Sequence, residues 1–193
     1  MKKTATYIPL ILYPYAYLFA FICVVVIFKF IMPLVSDEEF MLLFWGSVAL
    51  MGLACFLYSV GVFIQAVYLS VATYRGKYDL TTACKILMWI KLWQIPAYLL
   101  NFVIGGIGVL LSIWGIGIVL LVVCVDLLSI IASGVASVGC SLRMKKEHKH
   151  WLYLLGGVGM FVYCIDVPLA IIYYVQQKRH AAQIAEPVEV AGE

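Results

Sequence analysis

Charged residues are scarce in this chain: of its 193 residues, 12% are charged and 65% are hydrophobic. Soluble domains carry roughly 25% charged residues, because a folded chain must cover its surface with polar groups. The scarcity excludes an ordinary soluble fold and a separate soluble module. Lipid can instead face the excess apolar surface, where its exposure has no hydrophobic cost. The sequence therefore predicts an integral membrane protein.

Catalytic and metal-binding motifs are also missing from the sequence. It has no phosphate loop of the GxxxxGK type, no HExxH, no GxSxG and no CxxC or zinc-type Cys/His spacing. We therefore expect no enzyme activity, no cofactor and no metal. Basic residues are not clustered on a water-exposed element, so nucleic acid is not an expected partner. The lipid bilayer is the first partner that the composition predicts.

Long apolar runs separated by short polar segments predict an all-α polytopic transmembrane helical bundle. We expect a single domain over residues 1–177 with about five spans: 7–35, 40–74, 93–111, 115–142 and 151–177. Lys85 and Lys91 alternate with Trp89 and Trp93, which predicts a short interfacial helix over 80–93 before the third span. Residues 178–193 are expected to form a polar mobile tail.

Basic residues predict the orientation of these spans. Ten of the 13 fall on one side: Lys2, Lys3, Arg75, Lys77, Lys85, Lys91, Arg143, Lys145, Lys146 and Lys149. The positive-inside rule makes that side cytoplasmic in a plasma or inner membrane, with the N-terminus cytoplasmic. Five crossings would place the C-terminus outside, together with Lys178 and Arg179. A re-entrant last segment that bends around Pro168 would instead return the tail to the cytoplasm and obey the charge rule better.

Three polar residues interrupt the apolar spans. Asn101, Asp126 and Asp166 each lie about 11 residues from the predicted outer end of a span, which predicts one layer about 16 Å deep. We take them as the candidate intramembrane polar site. The aspartates could form a proton path, with at least one carboxyl group protonated if they are close. They could also be structural, each protonated and hydrogen-bonded to Asn101 or a serine. We prefer the structural role, because no basic partner is expected at that depth.

Small and polar side chains recur along the spans at helical spacing and predict the faces that pack on other helices. They are Ser47, Ala54, Tyr58, Gly61 and Gln65 in span two; Gln94, Asn101, Gly105, Gly108 and Ser112 in span three; Asp126, Ser129, Ser133, Ser137 and Cys140 in span four; and Gly156, Gly159, Tyr163, Asp166, Ala170 and Tyr173 in span five.

Lys29 lies about six residues from the predicted outer end of span one. Its side chain could extend to the outer interface, or it could be a counter-ion for Asp126 or Asp166. We favour the interface, where the acidic residues 37–39 are expected.

Three segments resemble a family of small multi-span bacterial integral membrane proteins that is uncharacterised. They are Lys91-Leu92-Trp93-Gln94-Ile95-Pro96-Ala97-Tyr98, Trp114-Gly115-Ile116-Gly117 and Cys164-Ile165-Asp166. The resemblance covers about the C-terminal half of the chain. It implies a bacterial plasma or inner membrane and assigns no functional residue.

The sequence supports three functional hypotheses. The preferred one is a non-enzymatic membrane protein of structural, accessory or protective type, acting with another membrane protein or as a homo-oligomer. The alternative is a small oligomeric carrier or channel, proton-linked through the layer of Asn101, Asp126 and Asp166. A membrane enzyme would need active-site groups that the sequence does not display.

Overall fold

The computed structural model describes residues 7–31, 34, 37–110, 115–162 and 164–190, and in these ranges the fold is all-helical. Its helices are α1 (Ile8–Ile31), α2 (Asp37–Tyr74), α3 (Leu80–Leu110), α4 (Gly115–His148), α5 (Leu152–Gly159) and α6 (Asp166–Val190). Among the described residues, three stretches are long and apolar enough to cross a membrane: Glu39–Tyr74, Leu80–Leu110 and Val119–His148. By the same measure, α1 contributes a shorter apolar stretch, Ile8–Ala20. The predicted membrane-type helical bundle is confirmed, whereas the count of five spans is not.

The centre of the bundle is the antiparallel pair α3 and α4. Lys91 of α3 contacts Ser133 of α4, and Asn101 contacts Asp126, so positions rise along one helix as they fall along the other. Helix α2 runs parallel to α4, and Arg143 near the end of α4 donates hydrogen bonds to the carbonyl oxygens of Thr73 and Tyr78. The end of α2, the start of α3 and the end of α4 therefore meet at one end of the bundle.

Helix α3 differs from its prediction. A separate interfacial helix over 80–93 is not confirmed, because those residues form the first half of one continuous helix, Leu80–Leu110. Leu80, Ala83, Leu87 and Ile90 are buried, so this half is packed inside the bundle rather than resting on a lipid surface. The lysines at 85 and 91 made the segment look interfacial, but only Lys85 is exposed.

The fifth predicted span, 151–177, is wrong as one continuous helix. Helix α5 ends at Gly159, and α6 begins at Asp166. Between them Cys164 adopts a left-handed backbone conformation (φ 67°), which helps the chain reverse direction. Helices α5 and α6 then pack antiparallel: a β-carbon on Gly159 would lie 2.5 Å from Leu169. The bend therefore precedes Pro168, the position considered for a re-entrant segment.

The hairpin of α5 and α6 returns to the end of the bundle from which it started. Tyr173 of α6 donates a 2.7 Å hydrogen bond to the carbonyl oxygen of Tyr153 at the start of α5. His148, the last residue of α4, lies 3.1 Å from the side-chain oxygen of Gln177 and makes a ring contact with His180. The segment predicted as a tail from 178 is helical as far as Val190.

Basic side chains accumulate at this shared end, which we call the basic end. Of the lysines and arginines that the structure describes, all except Lys29 and Lys91 lie there: Arg75, Lys77, Lys85, Arg143, Lys145, Lys146, Lys149, Lys178 and Arg179.

Serines and glycines allow close helix packing around α4. Ser129, Ser133, Ser137 and Ser141 are buried four residues apart, and each donates a hydrogen bond to a carbonyl oxygen of its own helix. A β-carbon on Gly139 would overlap the carbonyl oxygen of Ser70 in α2. The predicted small-residue face of span four is therefore buried, apart from the half-buried Asp126.

The face predicted for span two is confirmed in part: Tyr58 donates a hydrogen bond to the carbonyl oxygen of Pro9 and packs on Tyr13 of α1. Ala54 and Gly61 are exposed, and the buried side of α2 carries Val62, Ala66 and Leu69 instead. In span three, Gln94, Asn101 and Gly108 are buried as predicted, whereas Ser112 lies outside the described residues, as does Tyr163 of span five.

A proline in α1 explains why α3 carries a buried glutamine. Pro14 has no backbone N–H, so the carbonyl oxygen of Leu10, four residues earlier, loses its intrahelical donor. The side chain of Gln94 donates a 3.2 Å hydrogen bond to that oxygen. Tyr98 in turn donates to the Gln94 side-chain oxygen at 3.2 Å. In a membrane, neighbouring helices commonly satisfy the carbonyls that proline frees, and this contact ties α1 to α3.

We predict that Gln94→Leu lowers the free energy of unfolding by about 1–3 kcal/mol, because the carbonyl oxygen of Leu10 is left buried without a donor. Thermal unfolding in detergent micelles measures the loss. In a Pro14→Ala background the restored N–H can bond to Leu10, so the same substitution should be less damaging. Tyr98→Phe is the control for the second hydrogen bond of Gln94. An equal loss in both backgrounds would contradict this role.

Candidate functional site

A lysine and an aspartate form an ion pair inside the bundle. The ammonium nitrogen (Nζ) of Lys91 lies 2.7 Å from Oδ2 of Asp166. Lys91 is 0% exposed and Asp166 is 1% exposed, so neither charge reaches the surface. An isolated charge in such a place would have a large desolvation cost, which a close opposite charge offsets only with good geometry and further hydrogen bonds.

Those further hydrogen bonds are present around Lys91. Its ammonium group donates to the Ser133 hydroxyl at 2.7 Å and to the carbonyl oxygen of Met160 at 3.4 Å. An ammonium group has three N–H donors, so Asp166, Ser133 and Met160 occupy all of them. The carbonyl of Met160 is available because α5 ends one residue earlier. The ion pair therefore binds both sides of the α5–α6 turn to α3 and α4.

Asp166 is placed favourably by its own helix. It is the first residue of α6, where the positive end of the helix dipole favours a negative charge. It also lies 11 residues before Gln177, which contacts His148 at the basic end. At about 1.5 Å per residue, the ion pair is about 16 Å from that end along α6, which is about half the thickness of a bilayer's hydrocarbon layer.

A second polar contact lies elsewhere in the bundle. The side-chain amide of Asn101 donates a 2.6 Å hydrogen bond to Oδ1 of Asp126. Asn101 is buried, but Asp126 is only half-buried on α4. A cavity of about 30 Å³ adjoins Asn101 and is also lined by Tyr17 and Val122. A water molecule needs roughly 10–15 Å³ of such space, so the cavity is large enough for one.

The single layer predicted from Asn101, Asp126 and Asp166 is not what the structure has. Asn101 and Asp126 are brought together, but Asp166 is paired with Lys91 instead. Lys91 and Asn101 lie ten residues apart on the continuous helix α3, which separates the two contacts by about 15 Å along the bundle. The prediction assumed that Asp166 lay within one uninterrupted span. In the structure it lies at the turn of the hairpin, where it contacts Lys91.

Lys91 is the residue of the buried polar site that sequence reasoning missed. It was assigned to an interfacial helix, so the aspartates were expected to have no basic partner. Its spacing from other polar residues indicated a buried position. Gln94 follows Lys91 by three residues and Asn101 follows Gln94 by seven, so all three lie on one helical face. Lys29 was the alternative counter-ion for the aspartates, but it is exposed near the other end of α1.

Comparison with protein-family models, with curated proteins and with solved structures gives no match for this chain. The resemblance to small bacterial membrane proteins therefore stays a prediction, and the site must be interpreted from its own geometry.

We predict that removing either partner of the ion pair is strongly destabilising. Lys91→Met or Asp166→Leu should each lower the free energy of unfolding by about 3–5 kcal/mol, because the remaining charge stays buried without a partner. The double variant should recover most of that loss, since two apolar side chains need no compensation. A double-mutant cycle measured by unfolding in micelles tests this.

The control is Glu147→Gln in the more exposed pair of Arg143 and Glu147, 3.0 Å apart. Its loss should stay below about 1 kcal/mol. Additive losses for Lys91 and Asp166 would contradict the ion pair.

Proposed function

We propose that this chain is a non-enzymatic integral membrane protein of structural or accessory type, built around a re-entrant hairpin. The proposal rests on one observation: the ammonium group of Lys91 uses all three of its N–H donors in hydrogen bonds to Asp166, Ser133 and Met160. A side chain that binds a substrate or transfers a proton needs a donor or acceptor that is free to contact it. All three N–H donors of Lys91 are already used within the protein, so the ion pair serves to hold helices together.

We propose four crossings, by α1 to α4, followed by the hairpin. The basic end supports this arrangement, because it gathers the basic residues of the α2–α3 connection, of α4 and of α6 on one side. The positive-inside rule then makes that end cytoplasmic, in a plasma or inner membrane. The start of α1 and the end of α6 lie on that side, so this proposal replaces the external C-terminus of the five-span prediction. Lys178 and Arg179 no longer conflict with the charge rule.

A hairpin that does not cross the membrane is stable only where other protein covers it, since lipid cannot satisfy its turn. Met160 and Asp166 at the turn are buried against α3 and α4. Apolar side chains such as Phe19, Phe56 and Phe102 are exposed on the outside of the bundle. This outer surface supports the bilayer as the main partner, with room for a second copy or another membrane protein.

The second candidate function is a proton-linked oligomeric carrier or channel centred on Asp126. One observation favours it: Asp126 is half-buried, hydrogen-bonded to Asn101, and close to a cavity that can hold water. The Asp166 part of that hypothesis is weaker, because its carboxylate is engaged by Lys91.

Proton and ion flux into liposomes distinguishes the two functions. We expect purified wild-type protein to give the same flux as empty liposomes across several ions and pH gradients. Asp126→Asn removes the half-buried carboxyl group, and Asn101→Leu removes the amide that donates a hydrogen bond to it. Flux above empty liposomes that Asp126→Asn abolishes would overturn the accessory proposal in favour of the carrier. The double variant Lys91→Met/Asp166→Leu serves as the matched control, because it alters only the structural pair.

A further inference from the structure

A groove of about 400 Å³ runs between α5 and α6, beginning at the basic end. We call it the α5–α6 groove. Its polar lining is His150, Tyr153, Tyr173 and Gln176. The groove is separate from the ion pair, and the proposed function gives it no role.

The rest of the groove is apolar. Leu152, Leu169 and Ile172 line it, with Gly156 at its floor. A β-carbon on Gly156 would overlap the hydroxyl of Tyr173, so the glycine allows the two helices to approach there.

Polarity changes along the groove in one direction. His150 and Gln176 lie at the basic end, and both are exposed. Leu169 is seven residues before Gln176 on α6, which places it about 10 Å deeper. The groove therefore presents hydrogen-bonding groups at its mouth and hydrocarbon below them, the same order that a phospholipid has from headgroup to acyl chain.

Two basic residues lie close in the chain to the residues at the mouth of the groove. Lys149 directly precedes His150, is exposed and adopts a left-handed backbone conformation (φ 56°). Arg179 lies three residues after Gln176 on α6 and is exposed as well. Arginine can bind a phosphate with two parallel hydrogen bonds, and lysine contributes a point charge. This charge complements an anion at the level of the headgroups.

We propose that the α5–α6 groove binds an anionic phospholipid. The phosphate lies at His150, Gln176 and Arg179, and an acyl chain lies against Leu169 and Ile172. Basic pockets between membrane helices on the cytoplasmic side recognise anionic headgroups in this way. A free phosphate ion would use only the mouth and leave the apolar part uncovered. The groove therefore fits a lipid better than a soluble anion.

Thermal unfolding of the full chain in a neutral detergent tests the proposal. Phosphatidylglycerol should raise the unfolding midpoint more than phosphatidylcholine with the same acyl chains. In the variant His150→Gln/Arg179→Gln at least half of that difference should disappear. Lys85→Gln is the matched control, because it removes one positive charge from the same end on the exposed side of α3 and should leave the difference intact.

Three outcomes would overturn the proposal. Equal stabilisation by the two lipids would show that no anion is recognised, and an equal loss in Lys85→Gln would show that only the overall charge matters. Inorganic phosphate added without lipid is a third arm, and it should not reproduce the shift. If it does, the ligand is a soluble anion rather than a lipid. Retention of phosphatidylglycerol in native mass spectra, lost in the double variant only, gives support that does not depend on stability.

Discussion

Two opposite charges lie next to each other in the interior of this helical bundle, and the hairpin of α5 and α6 depends on their contact. Lys91 comes from α3, and Asp166 begins α6, 75 residues later in the chain. Alone, each would be a buried charge with a large desolvation cost. Together with Ser133 and Met160 they form a compact group that joins α3, α4 and the hairpin turn.

The hairpin changes how the charges of the whole chain are distributed. Once α6 runs back beside α5, Lys178 and Arg179 join the basic residues of α4 and of the α2–α3 connection. The groove between the two helices then opens at the side where anionic headgroups are expected. The proposed orientation, the proposed lipid contact and the buried ion pair are consequently linked through one structural feature, the reversal between Gly159 and Asp166.

Much of the fold follows from apolar runs and their interruptions. The runs predicted the helical character, the bounds of α2 to within a few residues and the start of α4. Helical spacing predicted the buried serine face of α4, and equal distances from the predicted span ends placed Asn101 and Asp126 at one depth, where a hydrogen bond joins them. Helical character and the buried face of a helix are local features, so the order of residues along the chain is enough to predict them.

The remainder depends on contacts between distant residues. Residues 151–177 are apolar throughout most of their length, and their composition fits a continuous helix as well as a hairpin. The hairpin is favoured because it places Asp166 in contact with Lys91. Neither residue, considered alone in the sequence, predicts that the other is its partner. Lysine near tryptophan also fits a lipid interface, which is why Lys91 was assigned to one. The role of Lys91 could be interpreted only once Asp166 was known to be its partner.

The most direct test of this account is disulfide formation between Gly159→Cys and Leu169→Cys in native membranes, with Cys164 replaced by serine. Leu169 packs against Gly159 in the hairpin, whereas one continuous helix would separate these positions by about 15 Å. We predict efficient cross-linking within one chain, reduced when Lys91→Met removes the partner of Asp166. Absence of the cross-link with Lys91 intact would contradict the hairpin, and an unchanged yield with Lys91→Met would contradict the role of the ion pair in holding it.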